Sequence, residues 1–502
     1  MKTAISKFLS VCISVVLCML YSPALKAQPH NSAAKKNVLF IAVDDLRPEL
    51  GCYGATYMKT PNIDKLAQQG LLFENAYCQQ AICAPSRNSV MTGLRPDALN
   101  IYDLSTFFRK TVPNVVTLPQ QFKDNGYTAE AIGKIYHDGH GNHDDSLSWS
   151  VPSWNYRTWI NKLKKISRGD TTGLESSFPQ INGANLPYYK SNAPEEQMVD
   201  GAIASIAVER IKALKKQGNP FFLAVGFKLP HLPFVAPAKY WDMYDPNNIA
   251  VPDRTEAEGA SKYAFIRWSG ELRKYYGIEQ YKDKGYLPDE LSRNLIQGYY
   301  ASVSMIDAQV GKLLDALEQS GQRENTIIVF WGDHGWKLGE YGYWCKHSNS
   351  ELDTHAPLII SAPGFPKGKT SKSLAEFVDI YPTLCELAGV EKPAHLQGLS
   401  LTPILKNPKA VVNQVALSQY PRGKFIDKEK TKQEVMGYSI TDGRYRFTRW
   451  QSYKNPKLII DKELYDHTNS RMDTKNLANS AKYSKELIRM ENLLNEMLAK
   501  YK

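Results

Sequence analysis

The chain has 502 residues, with 62 Lys and Arg against 51 Asp and Glu, a net charge of +11. A chain of this length buries a large core without staples, and none of its seven cysteines forms a C-x-x-C pair, which argues against a structural zinc site. The basic balance suits a polyanionic partner.

Residues 1–27 read as a secretory signal. Lys2 and Lys7 form a basic start, Phe8 to Leu20 is apolar but short for a membrane span, and Ala27 is the small residue that ends it. An uncleaved anchor and a lipid anchor at Cys18 are the alternatives, although Val15-Val16-Leu17 is a poor lipobox. No other segment is long and apolar enough to span a bilayer. Loss of Lys2, Lys7 and Lys26, with no acid in the same stretch, leaves a mature chain at +8. Export argues against nucleic acid as the polyanion and places the protein in the periplasm or outside the cell. Cys52, Cys78, Cys83, Cys345 and Cys385 remain, enough for disulfides but requiring none.

Asn37 to Val43 is a continuous apolar run, the mark of a strand buried on both faces. Thr60-Pro61 opens a helix that stops at Gly70, and Thr117 to Asn125 repeats that logic before a strand at Thr128 to Ile132. Residues 145–200, rich in Ser, Asn, Trp, Tyr and Pro, read as loops covering a site. Phe221 to Phe227 is a strand, about Ser292 to Gln319 a long amphipathic helix, and Thr326 to Trp331 and Pro357 to Ile360 are strands. This alternation predicts an α/β domain with a largely parallel sheet. Beyond Leu405, short strands at Val415 to Gln419, Met436 to Thr441 and Tyr445 to Trp450, then a helix over Lys482 to Lys500, predict a smaller α+β domain with an antiparallel sheet. The expected divisions are 1–27, 28–409 and 410–502.

The chemistry concentrates at predicted strand ends. Asp44-Asp45 follows the first strand and Asp333-His334 a later one. In an open α/β sheet such ends converge on one crevice, where paired carboxylates repel unless a cation lies between them. Oxygen ligands favour Ca²⁺ or Mg²⁺ over zinc. Cys83-Ala84-Pro85-Ser86-Arg87 has the form C-x-P-S-R; Pro85 suits a first helical position and Gly93 a C-terminal cap, placing Cys83 at a helix N-terminus that favours an anion. Lys134 and His137 in GKIYH, His231 in PHLPF, and Lys346 beyond the Asp-His pair add cations and acids at or near strand ends.

These stretches resemble sulfatases of the alkaline-phosphatase-like superfamily, within it most of all the iduronate-2-sulfatase group and its bacterial relatives. The matching segments are NVLFIAVDDLRPELGCYG, CAPSR, GKIYH, NHDDS, PFFLAVGF with PHLPF, ASVSMIDAQVG and DHGWKLGE. The resemblance implies that Cys83 is converted by a maturating enzyme to formylglycine, whose hydrate attacks sulfur. It implies that Asp44, Asp45, Asp333, His334 and modified Cys83 hold Ca²⁺, with Mg²⁺ second. Arg87 and Lys134 would hold the hydrate, His137 would support its second hydroxyl, His231 would protonate the leaving sugar oxygen, and Lys346 would hold the sulfate and that leaving oxygen. Trp336 of DHGW is assigned to the substrate. Arg422 and Lys424 are candidate rim cations for a uronic acid carboxylate. The implied substrate is a sulfated oligosaccharide, foremost a 2-O-sulfated uronic acid of heparin, heparan or dermatan type. Another polysaccharide such as an algal one, a phosphatase or phosphonate monoesterase activity, and a non-catalytic glycan-binding role are the alternatives.

Overall fold

The computed structural model describes residues 35–155, 180–181, 183–423 and 434–501. The expected signal at 1–27, Lys424 and part of the expected covering loops lie outside the described residues.

Seven strands build the main sheet: β1 (Asn37–Val43), β2 (Leu71–Tyr77), β3 (Thr128–Gly133), β4 (Phe221–Phe227), β5 (Thr326–Gly332), β6 (Leu358–Ser361) and β7 (Lys369–Glu376). Their order is β7-β2-β6-β5-β1-β4-β3. β1 pairs in parallel with β4 and β5, β3 with β4, and β7 with β2. Only β6 is reversed, antiparallel to both β5 and β2. β1 shows why the sequence folds this way. Leu39, Ile41 and Val43 pack into one hydrophobic layer and Val38, Phe40 and Ala42 into the other, so every residue of the run is buried.

Helices α1 (Pro61–Gln68), α4 (Val199–Gln217) and α5 (Asp289–Gln319) cover the first face. Helices α2 (Cys83–Thr92), α3 (Leu118–Asp124) and α6 (Ile380–Ala388) cover the second. A second sheet, the antiparallel meander β8 (Ala416–Arg422), β9 (Val435–Thr441), β10 (Tyr445–Ser452) and β11 (Ile459–Asp466), carries helix α7 (Ser484–Lys500). Met490 and Leu494 of α7 pack with Phe447 and Ile440 of this sheet. The fold is therefore the α/β architecture with a smaller antiparallel α+β part that the strand pattern predicts.

Two local expectations need correction. Helix α2 starts at Cys83, so Pro85 sits third rather than first; Gly93 does close the helix, at φ 69°, donating its N–H to the Ser89 carbonyl at 2.8 Å. Residues 145–200 are not all loop: Tyr188–Ser191 pairs in parallel with Phe234–Pro237, and α4 begins at Val199. The small residues Gly201, Ala202 and Ala204 hid that amphipathic start, because they pack closely without forming an obvious apolar stripe. No helix among the described residues is long and apolar enough to cross a membrane, and the five described cysteines are free.

Candidate active site

The parallel strands deliver their following residues to one edge of the sheet, and the hydrogen-bond ladder runs one step past each strand. Asp44 donates its N–H to the Phe227 carbonyl, Asp333 to Val43 at 3.0 Å, and Lys134 to Gly226 at 2.8 Å. Asp45 turns at φ 59°, a left-handed conformation costly for a residue with a Cβ and typical of functional sites. Its N–H is held by Asp333 Oδ1 at 3.0 Å.

These groups meet around Cys83. The thiol lies 3.4 Å from Asp44 Oδ1, 3.5 Å from His334 Nε2 and 3.5 Å from Lys346 Nζ. Arg87, one turn along α2, is fully buried. Its Nε donates to Asp333 Oδ2 at 2.9 Å, its Nη2 to Asp44 Oδ1 at 3.3 Å, and its Nη1 to the Lys134 carbonyl. Lys134 Nζ pairs with Asp44 Oδ2, and Lys346 Nζ donates to Asp45 Oδ1 at 2.5 Å. Three carboxylates thus face three fixed cations in a buried cluster.

The two neighbouring aspartates differ in their electrostatics. Burial opposes ionisation of both. Lys134 and Arg87 nonetheless hold Asp44 well below the usual carboxylate range. For Asp45, burial together with the charges of Glu271, Asp44 and Cys83 outweighs Lys346 and pushes it well above that range. Its Oδ2 is buried without a hydrogen-bond partner. An orphaned carboxylate oxygen among carboxylates, with a cluster of Asp44, Cys83, Asp333 and His334 ligand atoms within 4.8 Å of one another, fits a hard cation. Burial pushes the Cys83 thiol up to about 12, with Asp44 adding to it, so an unmodified Cys83 is a poor nucleophile at neutral pH.

A second ring of groups stands over this cluster. Asp200, at the start of α4, accepts the backbone N–H groups of Lys228 and Leu229 at 2.6 and 3.2 Å, fixing the turn that carries His231. The His231 ring has Nδ1 2.7 Å from the Leu232 carbonyl and Nε2 2.9 Å from Glu271 Oε1. Burial lowers its pKa against the pull of Asp44 and Glu271. Glu271 Oε1 also accepts from Lys346 at 3.0 Å, and its Oε2 lies 3.2 Å from His347 Nε2. Burial would raise Glu271, yet Lys346 and the two histidines hold it well below the carboxylate range. His347 Nδ1 meets the Tyr420 hydroxyl of β8 at 2.8 Å. Sequence reasoning missed Glu271 altogether. It sits on the short helical turn Gly270–Arg273, capped by Ser269, with no neighbouring pattern that marks chemistry.

Three other expected site residues stand differently from the expectation. His137 pairs with His140 at 3.2 Å and makes no hydrogen bond to Cys83; burial, then Lys134, lower it to about 2, so it is neutral at any working pH. Trp336 is fully buried beneath Lys346, whose Nζ stands 5.0 Å from the ring centroid, and so shapes the lysine rather than facing a substrate. Arg422 does not stand free at a rim. Its guanidinium donates to the carbonyls of Tyr263 and Ala264 and lies over the rings of Tyr420 and Trp450. The two carbonyls and the Trp450 ring come from distant segments, which sequence reading of the YPRGK stretch could not bring together.

Fold and site together define a hydrolase of the alkaline-phosphatase-like superfamily, with a group of residues that could hold a metal ion and a helix-N-terminal residue at the carboxyl edge of the sheet. Residues 36–390 match the Sulfatase family and residues 339–500 match N-sulphoglucosamine sulphohydrolase, C-terminal. The chain belongs to the sulfatase family and is a sulfuric ester hydrolase. It is 36% identical to the iduronate 2-sulfatase of Homo sapiens, over 87% of this chain and 88% of that protein, and 30% identical to a sulfatase of Formosa agariphila, over 93% and 88%. Among solved structures, a 2-O GAG sulfatase shares the fold at TM-score 0.68 and 24% identity, covering 93% of this chain and 92% of that one. A phosphonate monoester hydrolase from Silicibacter pomeroyi shares it at TM-score 0.77 and 22% identity, covering 93% and 96%.

Proposed function

We propose that the chain is an exported sulfatase that removes the 2-O-sulfate of a uronic acid in a glycosaminoglycan of heparin, heparan or dermatan type. The observation that carries the chemistry is the convergence of Cys83, Arg87, Lys134 and Lys346 on three buried aspartates. The observation that favours this substrate is the 36% identity to human iduronate 2-sulfatase over most of both chains.

Breaking a sulfate ester needs an oxygen nucleophile at sulfur, cations around the sulfonyl oxygens and an acid for the departing sugar oxygen. Cys83, oxidised to formylglycine by a maturating enzyme and hydrated, supplies one hydroxyl to attack sulfur and a second to release sulfate. Asp44, Asp45, Asp333 and His334 would hold Ca²⁺, with Mg²⁺ the second choice, and such an ion lowers the cost of ionising the attacking hydroxyl. Arg87 fixes Asp44 and Asp333 so that the carboxylates keep their positions through the reaction. Lys134 and Lys346 flank Cys83 with positive charge, where negative charge builds on the sulfonyl oxygens. His231 has its Nδ1 tied to the Leu232 carbonyl, which leaves Nε2 to protonate the leaving oxygen. His137, neutral and buried, makes no hydrogen bond to the Cys83 thiol, so it would support the second hydroxyl only once Cys83 is converted and hydrated, as a hydrogen-bond partner and not as an acid.

The test compares a 2-O-sulfated uronic acid disaccharide with its carboxyl-reduced counterpart and with 6-O-sulfated hexosamine and algal oligosaccharides. Preference for the first supports the assignment. An unchanged kcat/KM after carboxyl reduction, or cleavage of the 6-O-sulfated or algal sugars alone, rejects this substrate while leaving sulfate-ester hydrolysis standing. Aryl phosphate turned over at least as fast as aryl sulfate would favour phosphate or phosphonate chemistry instead.

A further inference from the structure

Glu271 Oε1 lies 2.9 Å from His231 Nε2 and 3.0 Å from Lys346 Nζ. If His231 protonates the leaving oxygen and Lys346 holds it, that oxygen must sit within hydrogen-bond reach of the same two nitrogens. The carboxylate therefore occupies the place that a substrate oxygen needs. His231 has no other nitrogen to offer, since Nδ1 is engaged by Leu232. Glu271 Oε2 continues to His347 Nε2, whose ring is anchored through Nδ1 by Tyr420. Lys346, His231 and His347 thus form a three-point cradle for an oxyanion, filled by a side chain of the protein itself.

We propose that Glu271 is a displaceable internal counter-ion that substitutes for a substrate oxyanion in this cradle, and that His347 is a further substrate-binding residue exposed when Glu271 leaves. The inference rests on the reading of His231 and Lys346 as leaving-oxygen groups. Two anionic oxygens cannot share one position, and a carboxylate with three charged or polar partners resists displacement. Glu271 consequently sets a threshold: only a ligand whose own oxyanion replaces those contacts enters. Glu271 stands on the short turn Gly270–Arg273 and not within a long helix or the main sheet, and its side chain is 13% exposed, so one edge of the carboxylate is open to an entering ligand.

The test is calorimetric titration of the full-length protein with inorganic sulfate, in the wild type, Glu271→Gln, Glu271→Asp and His347→Gln. Glutamine keeps the shape but not the charge, so sulfate affinity is expected to rise about tenfold, the size of one charge-assisted contact. Aspartate pulls the carboxylate back by one methylene and should shift affinity the same way by less. His347→Gln should weaken sulfate binding. Equal or weaker sulfate affinity in both Glu271 variants overturns the proposal, as does an unaltered affinity in His347→Gln. Turnover of sulfate esters by the wild type is read separately. Its absence would strike the catalytic reading of His231 and Lys346, whereas the role of Glu271 is judged from binding alone.

Discussion

His231 is the residue whose role separates most cleanly by chemistry. Its Nδ1 is committed to a backbone carbonyl and its Nε2 lies 2.9 Å from Glu271 Oε1, so in the proposed reaction Nε2 is the nitrogen that would serve the leaving group. An activated aryl sulfate leaves as a stable anion and needs little protonation, whereas a sugar alcohol needs it badly. His231→Ala is therefore expected to lower kcat on a sugar sulfate by about 10²–10⁴-fold, the usual worth of a positioned acid, and to lower kcat on an activated aryl sulfate by far less. Steady-state kinetics on the two substrates checks this; equal losses would move His231 to sulfate binding. At this scale the residues nearest the sulfur were legible because they follow predicted strand ends: Asp44, Asp45, Lys134 and Asp333 each lie one or two positions past a strand. Glu271 was not, because its importance comes only from the three side chains around it. Trp336 and Arg422 were legible as chemistry but not as locations, since burial beneath Lys346 and bonding to the carbonyls of Tyr263 and Ala264 are tertiary facts.

At the scale of elements, the close approach of β3 and β4 places Lys134. A Cβ on Gly226 would lie 2.0 Å from the Lys134 carbonyl oxygen and 2.3 Å from its carbon, both backbone atoms that cannot swing aside. Gly226→Ala must push the two strand ends apart and carry Lys134 and the carbonyl that Arg87 grips with them. A displacement near 1 Å in a site of this kind costs about 10²-fold in rate. The expected outcome is a loss of that order in kcat/KM; activity equal to wild type would show that Lys134 is not positioned by this contact. The runs at β1, β4 and β5 were readable because both faces are buried. β2 and β7 were not, because LLFENAY and KTSKSLAE mix polar residues into their strands. The reversal of β6 has no local signature, because an apolar run buried on both faces reads alike in either direction.

On the scale of the whole molecule, one buried carboxylate ties the antiparallel sheet to the main sheet. Glu351, just before β6, accepts from Arg446 of β10 at 2.5 Å, from Arg471 at 2.7 Å and from Tyr77 of β2 at 2.9 Å. Burial would raise its pKa, but Arg446 and its other cationic neighbours hold it well below the carboxylate range. A depressed folded value means that this stabilisation is complete above the unfolded carboxylate pKa and fades as pH falls through the folded one. Glu351→Gln leaves the fully buried Arg446 guanidinium without its counter-charge, so we expect a loss of about 3–5 kcal/mol at pH 7. Denaturant midpoints should show the gap between variant and wild type narrowing below about pH 4, the carboxylate reference value. A gap independent of pH would mean that Glu351 acts through packing and not through charge. The same sheet sends Tyr420 to His347, so its integrity reaches the candidate site. The general α/β plan with a terminal antiparallel part was legible from the order of strand and helix patterns, whereas the polar joint between the two sheets draws on residues hundreds of positions apart.

The central claim is that Cys83 works as an aldehyde hydrate and not as a thiol, within a fold and cluster that belong to the sulfatase family. The direct measurement is to prepare the full chain with different degrees of Cys83 conversion, quantify formylglycine in the Cys83 peptide by mass spectrometry, and measure aryl sulfate hydrolysis in each preparation. The account predicts a rate proportional to the formylglycine fraction, with the unconverted protein inactive. Full activity in protein whose Cys83 is wholly unmodified cysteine would contradict it.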